Sequence, residues 1–127
     1  MKTNDCIFCL ETSEPRGQLL HKDDLWFAVS SIDPTLKAGA LIITRRHIQT
    51  PFEISSEEWS RLHEIIPKVK EFLDDTFQPD GYNMGWNITP VAGQQVAHAH
   101  LHLFGRYKHE PLAGKGIRSA FREAAQK

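Results

Sequence analysis

Val96-Ala97-His98-Ala99-His100-Leu101-His102-Leu103-Phe104 places three histidines at alternate positions, with alanine and leucine between them. Alternate side chains in a β-strand point to the same face of the sheet. This stretch therefore predicts a strand over residues 97–104 with three imidazoles on one face and apolar side chains on the other. One histidine on a strand is ordinarily a satisfied polar residue, but three within five positions indicate a metal site or a catalytic site.

The spacing of these histidines constrains a metal interpretation. Residues four apart in a strand are separated by roughly 13 Å, whereas bonds from an imidazole nitrogen to zinc are about 2.0–2.1 Å long. Three imidazoles from one strand therefore do not converge easily on one ion, although two of them could with ligands from elsewhere.

Nucleophilic catalysis is the alternative use of such a stripe. An imidazole with a pKa of about 6.5 is mostly neutral at pH 7, so a ring nitrogen can attack without a separate base. The preceding Gly93-Gln94-Gln95 suits an anionic phosphate, because glycine permits close backbone approach and amides donate hydrogen bonds.

Composition excludes several classes of function. The chain has 127 residues, 40% of them hydrophobic and 24% charged, and a net charge of −1. These values are typical of a globular protein with one core, so we expect a single domain over residues 1–127. A net charge near zero gives no electrostatic argument for a nucleic-acid or membrane partner. No apolar run approaches the roughly 18 residues of a membrane span and no signal peptide is evident, so we expect a cytoplasmic protein.

Apolar runs and turn residues predict the remaining elements. Further strands are predicted at residues 18–21, 25–31, 40–44 and 82–87. The clearest helix begins at a capping box, Ser55-Ser56-Glu57-Glu58, and carries apolar residues at helical spacing as far as Leu73. Pro67 is expected to kink this helix or split it near residues 63–67, and a short helix is predicted at 117–125. Short turns and one main helix predict an antiparallel α+β domain.

A wider pattern surrounds the histidines. Asn87, the run Ala92-Gly93-Gln94-Gln95-Val96 and the histidine stripe resemble the histidine-triad (HIT) family of nucleotide hydrolases and transferases. The resemblance extends to Cys6-Ile7-Phe8-Cys9, Ile32-Asp33-Pro34 and Ile42-Ile43-Thr44-Arg45-Arg46-His47-Ile48, and so covers most of the chain. It implies a HIT-like fold, a purine nucleotide substrate and a homodimer formed through the main helix and an edge strand.

The resemblance also implies a role for each histidine. His100 would attack the α-phosphate of a dinucleoside polyphosphate or a nucleoside phosphoramidate and form a nucleotidyl-histidine intermediate. Water would then release the nucleoside monophosphate. The backbone around His98 would orient the ring of His100, and His102 would contact the phosphate.

The same resemblance implies a set of nucleotide-binding positions. Those holding the phosphates and the leaving group would be Asn87, Gly93, Gln94 and Gln95, and those lining the base pocket would be Phe8, Val29 and Ile32. Two positions depart from the family pattern. Gln95 stands where the family commonly has serine or threonine, and Ser31 stands where an acidic residue commonly holds the ribose. Because Asp33 follows two residues later, the ribose contact is left open between Ser31 and Asp33.

The pair Cys6 and Cys9 has three interpretations: two free thiols, a redox pair, or half of a tetrahedral zinc site. A thioredoxin-like redox pair needs a βαβ context that does not surround these residues. Several HIT proteins with this cysteine pair bind zinc through the positions of His47 and His98. The resemblance thus implies a structural zinc ion that ties the N-terminal segment to the strand carrying the nucleophile.

Two alternatives to a nucleotidyl-histidine enzyme remain open. One is a zinc-stabilised nucleotide-binding module with negligible catalysis. The other is a hydrolase in which a metal ion on His98 and His100 activates water. Near the C-terminus, Lys115, Arg118 and Arg122 form either a solvated basic tail or a site that attracts a polyphosphate.

Overall fold

A five-stranded antiparallel sheet and one long helix form the body of the computed structural model, which describes residues 6–9 and 17–126. The strands are β1 (Leu19–Lys22), β2 (Trp26–Ser30), β3 (Gly39–Thr44), β4 (Gly81–Gly85) and β5 (His100–Arg106), and the helices are α1 (Ser56–Phe77) and α2 (Ser119–Ala125). The strand order is β1-β2-β3-β5-β4, and every neighbouring pair is antiparallel. The expected antiparallel α+β architecture is confirmed. Among the described helices, none combines the length and apolar character needed to cross a membrane.

The central strands are covered on both faces. Trp26 and Ala28 of β2 are buried on one face, and Phe27 and Val29 on the other. The first face, which we call the helix face, contacts a row of α1 residues three or four apart: Leu62, Ile65, Val69 and Leu73. We call the second the histidine face, because the register pairs Ile43 with His100 and Leu41 with His102.

The start of α1 is tied to the sheet through Glu58. The Ser55 hydroxyl accepts from the Glu58 amide at 3.1 Å, and the Glu58 carboxylate accepts from the Ser55 amide at 2.8 Å, which completes the expected capping box. The buried carboxylate is neutralised by Arg46 at 2.8 Å, and the Glu58 carbonyl accepts from the Trp26 indole at 2.9 Å. The helix axis is therefore fixed against β2 at its first turn.

A split of this helix near residues 63–67 was expected as one outcome of Pro67, and it is wrong. The helix continues as one element from Ser56 to Phe77. Proline removes a single intrahelical hydrogen bond, whereas Ile65 and Val69 on either side of it are buried against the sheet. Packing of these neighbours outweighs the lost bond.

The strand that carries the histidines begins later than expected. The prediction was residues 97–104, but β5 starts at His100 and ends at Arg106. His98 lies in a bend before the strand, because its amide bonds to the Val96 carbonyl at 2.8 Å and the next amide, of Ala99, bonds to Ile48 at 2.7 Å. The prediction that all three histidines belong to one strand is therefore wrong, while the other predicted bounds differ by one or two residues.

Candidate active site

His100, the first residue of β5, has a defined ring orientation. Its Nδ1 lies 2.7 Å from the carbonyl oxygen of His98, so Nδ1–H donates to that oxygen and Nε2 is the unprotonated nitrogen. The residue is only 8% exposed. Burial lowers the pKa of His100 more than the bond to the His98 carbonyl raises it. A neutral imidazole with a lone pair on Nε2 is the form that acts as a nucleophile.

His102 follows on the same face of β5. Its ring centroid lies 4.9 Å from that of His100. Its Nε2 is buried and has no hydrogen-bond partner within the described part of the chain. Burial, and then the neighbouring His100, lowers the pKa of His102. An unpaired buried polar atom costs roughly 1–3 kcal/mol, which a bound polar group would relieve.

His98 belongs to a different group of side chains. Its ring is fully buried, and Nε2 lies 2.6 Å from the carbonyl oxygen of Thr44, to which Nε2–H donates. The opposite nitrogen, Nδ1, lies 3.3 Å from Cys6 Sγ, 3.4 Å from Cys9 Sγ and 3.2 Å from His47 Nδ1. His47 Nδ1 is in turn 3.0 Å from Cys9 Sγ. The four candidate ligand atoms all lie within 4.8 Å of one another.

These four residues could hold a metal ion. In a tetrahedral zinc site, bonds of about 2.3 Å to sulfur and 2.0–2.1 Å to nitrogen place ligand atoms about 3.3–3.8 Å apart. The nitrogen–nitrogen and nitrogen–sulfur distances here are 3.0–3.4 Å. Two cysteines and two histidines are the donor set of closed structural zinc sites, and the Thr44 carbonyl supplies the outer hydrogen bond that orients a ligating imidazole.

His98 connects this cluster to the candidate nucleophile. Its ring nitrogen belongs to the cysteine and histidine cluster, while its backbone carbonyl accepts the hydrogen bond from His100. Phe8, between the two cysteines in sequence, packs its ring 4.9 Å from that of His100 and 6.0 Å from that of His98. The N-terminal residues 6–9 therefore support both groups of side chains.

The loop between β4 and β5 brings Asn87 next to Gly93. Gly93 has φ +100°, and a Cβ at this position would lie 3.7–3.9 Å from the amide group of Asn87. Both residues and Gln95 are exposed. Their amide groups are therefore available to a ligand beside the histidines.

Gln94 is used differently from its neighbours, because its side chain is buried within the same loop. Its Nε2 donates to the carbonyls of Gln49 at 2.8 Å and Val96 at 3.0 Å, and its Oε1 accepts from the Thr89 amide at 2.7 Å. The side chain of Gln94 therefore holds the loop in shape.

The expected base-pocket positions lie at different depths. Val29 is fully buried and Phe8 is nearly so, whereas Ile32 is 59% exposed. Val29 and Phe8 belong to the same buried cluster on the histidine face. Only Ile32 of the three presents a large surface to solvent.

The two candidates for the ribose contact lie in a turn after β2. The Ser31 hydroxyl accepts from the Asp33 amide at 3.1 Å. One carboxylate oxygen of Asp33 accepts from the Thr35 amide at 2.9 Å and from the Thr35 hydroxyl at 2.6 Å. These two bonds lower the pKa of Asp33, which keeps its carboxylate charged.

Sequence reasoning missed a large cleft beside His102. It has a volume of about 920 Å³ and is lined by Asn87, His102, Phe104 and residues that follow β5, Tyr107 among them. Phe104 is two positions after His102 and therefore on the same face of the strand. That spacing could have indicated a longer functional surface, but the residues after β5 carried no comparable signal.

Comparisons with known proteins agree on one family. The model described as HIT domain matches residues 12–109. Protein hit from Bacillus subtilis is 30% identical over 104 residues, which cover 81% of this chain and 72% of that protein. A purine nucleoside phosphoramidase from Escherichia coli K12 is 32% identical over 103 residues, which cover 80% of this chain and 87% of that one. The solved structure of a HIT family hydrolase from Clostridium thermocellum matches with a TM-score of 0.70 at 29% identity, covering 87% and 97%.

Proposed function

Because the chain belongs to the HIT family, we propose that it is a nucleotide hydrolase or nucleotidyl transferase that uses His100 as its nucleophile. The substrate is a purine dinucleoside polyphosphate or nucleoside phosphoramidate, attacked at the α-phosphate. The observation that carries the proposal is the 2.7 Å contact between His100 Nδ1 and the His98 carbonyl, which leaves the lone pair of a buried imidazole on Nε2. The activity named for the E. coli relative is of the same chemical type.

In the proposed reaction, Nε2 of His100 forms a bond to the α-phosphorus. The bond from phosphorus to the leaving group breaks, and its electron pair departs with that group. The ring becomes cationic, and the Nδ1–H bond to the His98 carbonyl stabilises that charge. Water then attacks phosphorus, the phosphorus–nitrogen bond breaks, and the nucleoside monophosphate leaves while one proton passes to solvent.

The neighbouring groups hold the nucleotide in this proposal. Asn87 and the exposed amides of Gly93 and Gln95 donate to phosphate oxygens, as does His102 when its Nε2 carries a proton. Gln94 keeps their loop in place. The base lies against Ile32 and the edge of the Phe8–Val29 cluster, and the ribose contacts Ser31 or Asp33.

We propose that the ion held by Cys6, Cys9, His47 and His98 is zinc, as a structural ion. A closed set of four protein ligands leaves no position for water, so its contribution is to fold the N-terminal residues against the sheet. Participation of the His98 ring in this cluster argues against a second proposal in which His98 and His100 share a catalytic metal.

We further propose a cytoplasmic homodimer in which α1 and β4 contact the second copy. β4 is an edge strand, and Met84 on it and Trp59 on α1 are 45% and 44% exposed. Met84→Asp is expected to convert the dimer to a monomer in sedimentation, whereas Val91→Asp, on an exposed loop residue, is expected to leave it intact. A monomeric wild-type protein at micromolar concentration would contradict this proposal.

His100→Ala tests the catalytic proposal, with His63→Ala, on the exposed side of α1, as the matched control. Release of AMP from diadenosine tetraphosphate and from adenosine 5′-phosphoramidate is measured by chromatography. We expect His100→Ala to lower turnover by roughly a thousandfold or more, with thermal unfolding and AMP binding unchanged, and His63→Ala to match the wild type.

Acid-quenched mass spectrometry of the wild type is expected to show one added AMP on the peptide containing His100. Unchanged turnover in His100→Ala would refute the mechanism. Saturable nucleotide binding by the wild type without release of AMP from any substrate would instead support the binding-module alternative.

A further inference from the structure

The cleft beside His102 is far larger than a single phosphate requires. Its volume is about 920 Å³, and it extends along β5 from His102 to Arg106 and Tyr107. Asn87 and His102 lie at one end. Much of the remaining wall is apolar or aromatic, with Trp86, Phe104 and Ile117 among its residues. This cleft begins where the reaction is proposed to occur and continues away from it.

One wall is formed by residues that follow β5, and Arg106 holds them in place. Its guanidinium donates to the Glu110 carboxylate at 2.9 and 3.1 Å and to the carbonyls of Leu112 and Lys115, each at 2.7 Å. It also bonds to Asn83 on β4. A planar guanidinium offers five donors in a fixed geometry, so one side chain ties the segment to the sheet at several points.

The cations around this cleft are unequal in their pairing. Arg106 is neutralised by Glu110, and Lys115 by Glu123. Arg118 and Arg122 have no carboxylate partner among residues 17–126. They line a hollow of about 510 Å³ that shares residues 115–117 with the cleft.

A third cation lies at the rim of the cleft. Lys37 lines it and lies 5.0 Å from the centroid of the Tyr107 ring. With Arg118 and Arg122 it gives the cleft and its adjoining hollow an excess of positive charge beside an aromatic wall. A ligand with both negative charge and a flat ring complements that surface.

From this arrangement we propose that the cleft binds the leaving group, and that the leaving group is a nucleoside polyphosphate rather than an amine. The inference rests on the proposed function. Its phosphates pass His102 and Asn87 under the field of Lys37, Arg118 and Arg122, and its base lies on the apolar wall.

The chemistry of the departing group is consistent with this choice. The bond between the α-phosphorus and the bridging oxygen breaks, and the electron pair remains on that oxygen. Diadenosine tetraphosphate thus yields adenylylated His100 and ATP, and water later releases AMP. A phosphate oxyanion departs without taking up a proton, whereas an amine leaving group must be protonated.

The test compares two substrates that share the AMP half. Diadenosine tetraphosphate places a nucleoside triphosphate in the cleft, and adenosine 5′-phosphoramidate places only ammonia at its mouth. We expect the double variant Arg118→Ala/Arg122→Ala to lower the ratio of kcat/KM for the tetraphosphate to that for the phosphoramidate at least tenfold, mainly through KM. The double variant Lys68→Ala/Lys108→Ala, which removes the same charge from outside the cleft, is expected to keep the wild-type ratio.

A second variant fills the cleft without touching the core. A Cβ at Gly116 meets nothing within 4 Å, so Gly116→Trp adds volume in open space and is expected to lower the same ratio. Wild-type ratios in both variants would overturn the inference while phosphoramidate turnover still upheld the proposed function. Loss of both activities in equal proportion would overturn it as well. Failure of the wild type to release AMP from either substrate would refute the proposed function itself.

Discussion

The helix face and the histidine face of the sheet are built from alternate residues of the same strands, yet they are stabilised in different ways. On the helix face, Trp26, Ile42 and Leu101 are covered by α1, a single segment of 22 residues. On the histidine face, residues 6–9, the loop between β4 and β5 and the segment after β5 each cover part of the surface. One face is a continuous apolar interface, and the other is an assembly of separate pieces.

The difference lies in what holds each face together. Burial of apolar area is tolerant of small shifts because it has no preferred direction. The histidine face relies instead on contacts between particular atoms, such as His98 Nδ1 with Cys6 Sγ and His100 Nδ1 with the His98 carbonyl. We therefore expect perturbations of the helix face to change stability with little effect on activity, and those of the histidine face to separate into local and global effects.

Removal of the proposed metal ion is expected to have the largest effect on stability. Structural zinc contributes about 10–16 kcal/mol of apparent binding free energy in small zinc domains; here the helix face persists, so we expect Cys9→Ser or chelation to cost on the order of 5 kcal/mol. Chemical unfolding, with metal content measured in parallel, provides the check. A chelator should have no further effect on Cys9→Ser, and activity per folded molecule should decline later than stability. An unchanged unfolding curve for chelated wild-type protein would contradict the structural role.

Leu73→Ala probes the other face. Leu73 is fully buried in the helix-face core, and truncation of such a leucine costs about 2–5 kcal/mol. Urea unfolding measures the loss, and Glu71→Ala on the exposed side of α1 serves as the control. Since the change is remote from the histidines, kcat is expected to remain at the wild-type value under conditions where the variant is folded. A large fall in kcat would show that the two faces are coupled.

Asp23→Asn tests the turn between β1 and β2, at the edge of both faces. Burial alone would raise the pKa of Asp23, but hydrogen bonds from His21, Leu25 and Trp26 outweigh it and lower the pKa to about 2. The ionised carboxylate therefore contributes stability at pH values above its ordinary pKa of 3.8, and that contribution is lost as the pH falls towards 2. We expect Asp23→Asn to cost roughly 2 kcal/mol at neutral pH.

The pH dependence gives this prediction its control. Between pH 4 and pH 2 the difference in unfolding free energy between wild type and Asp23→Asn should shrink, because the wild-type carboxylate becomes protonated. Asp75→Asn, on the exposed side of α1, should show no such convergence. A constant difference across this range would mean that the carboxylate charge is not the stabilising element.

Gln94→Ala is expected to have the smallest effect on global stability. Its three hydrogen bonds all lie within one loop, which can open without unfolding the sheet, so we expect a loss of about 1 kcal/mol. Turnover should nevertheless fall roughly tenfold to a hundredfold, because Asn87 and Gly93 lose their positions. Gln95→Ala, at the exposed neighbour, should leave stability unchanged. A stability loss as large as that of Leu73→Ala would place this loop within the global folding unit.

The elements that could be predicted from sequence are those determined by nearby residues. The capping box at Ser55, the alternation in β2 and the helical spacing up to Leu73 are local patterns, and each element is present. The start of β5 was misjudged because a bond between Ala99 and Ile48, about fifty residues apart, ends the extended pattern. The continuity of α1 through Pro67 likewise depends on packing against the sheet.

The candidate site divides in the same way. The pairing of Cys6 and Cys9 with His47 and His98 came from a family resemblance, and these four side chains do lie together. The burial of the Gln94 amide and the cleft beyond His102 were not foreseen. Both depend on where distant segments meet, through Gln49 in one case and Arg106 in the other, and no local pattern encodes those meetings.

The double use of His98 has a consequence for substitution at that position. The acceptor that orients His100 is a main-chain oxygen, which every amino acid supplies. Only the imidazole contribution to the cluster depends on the side chain. A chain with another residue at position 98 would give up a ligand but keep the tautomer of its neighbour, provided that the bend before β5 persisted. Metal retention and nucleophile orientation are thus separable traits, although a single residue serves both.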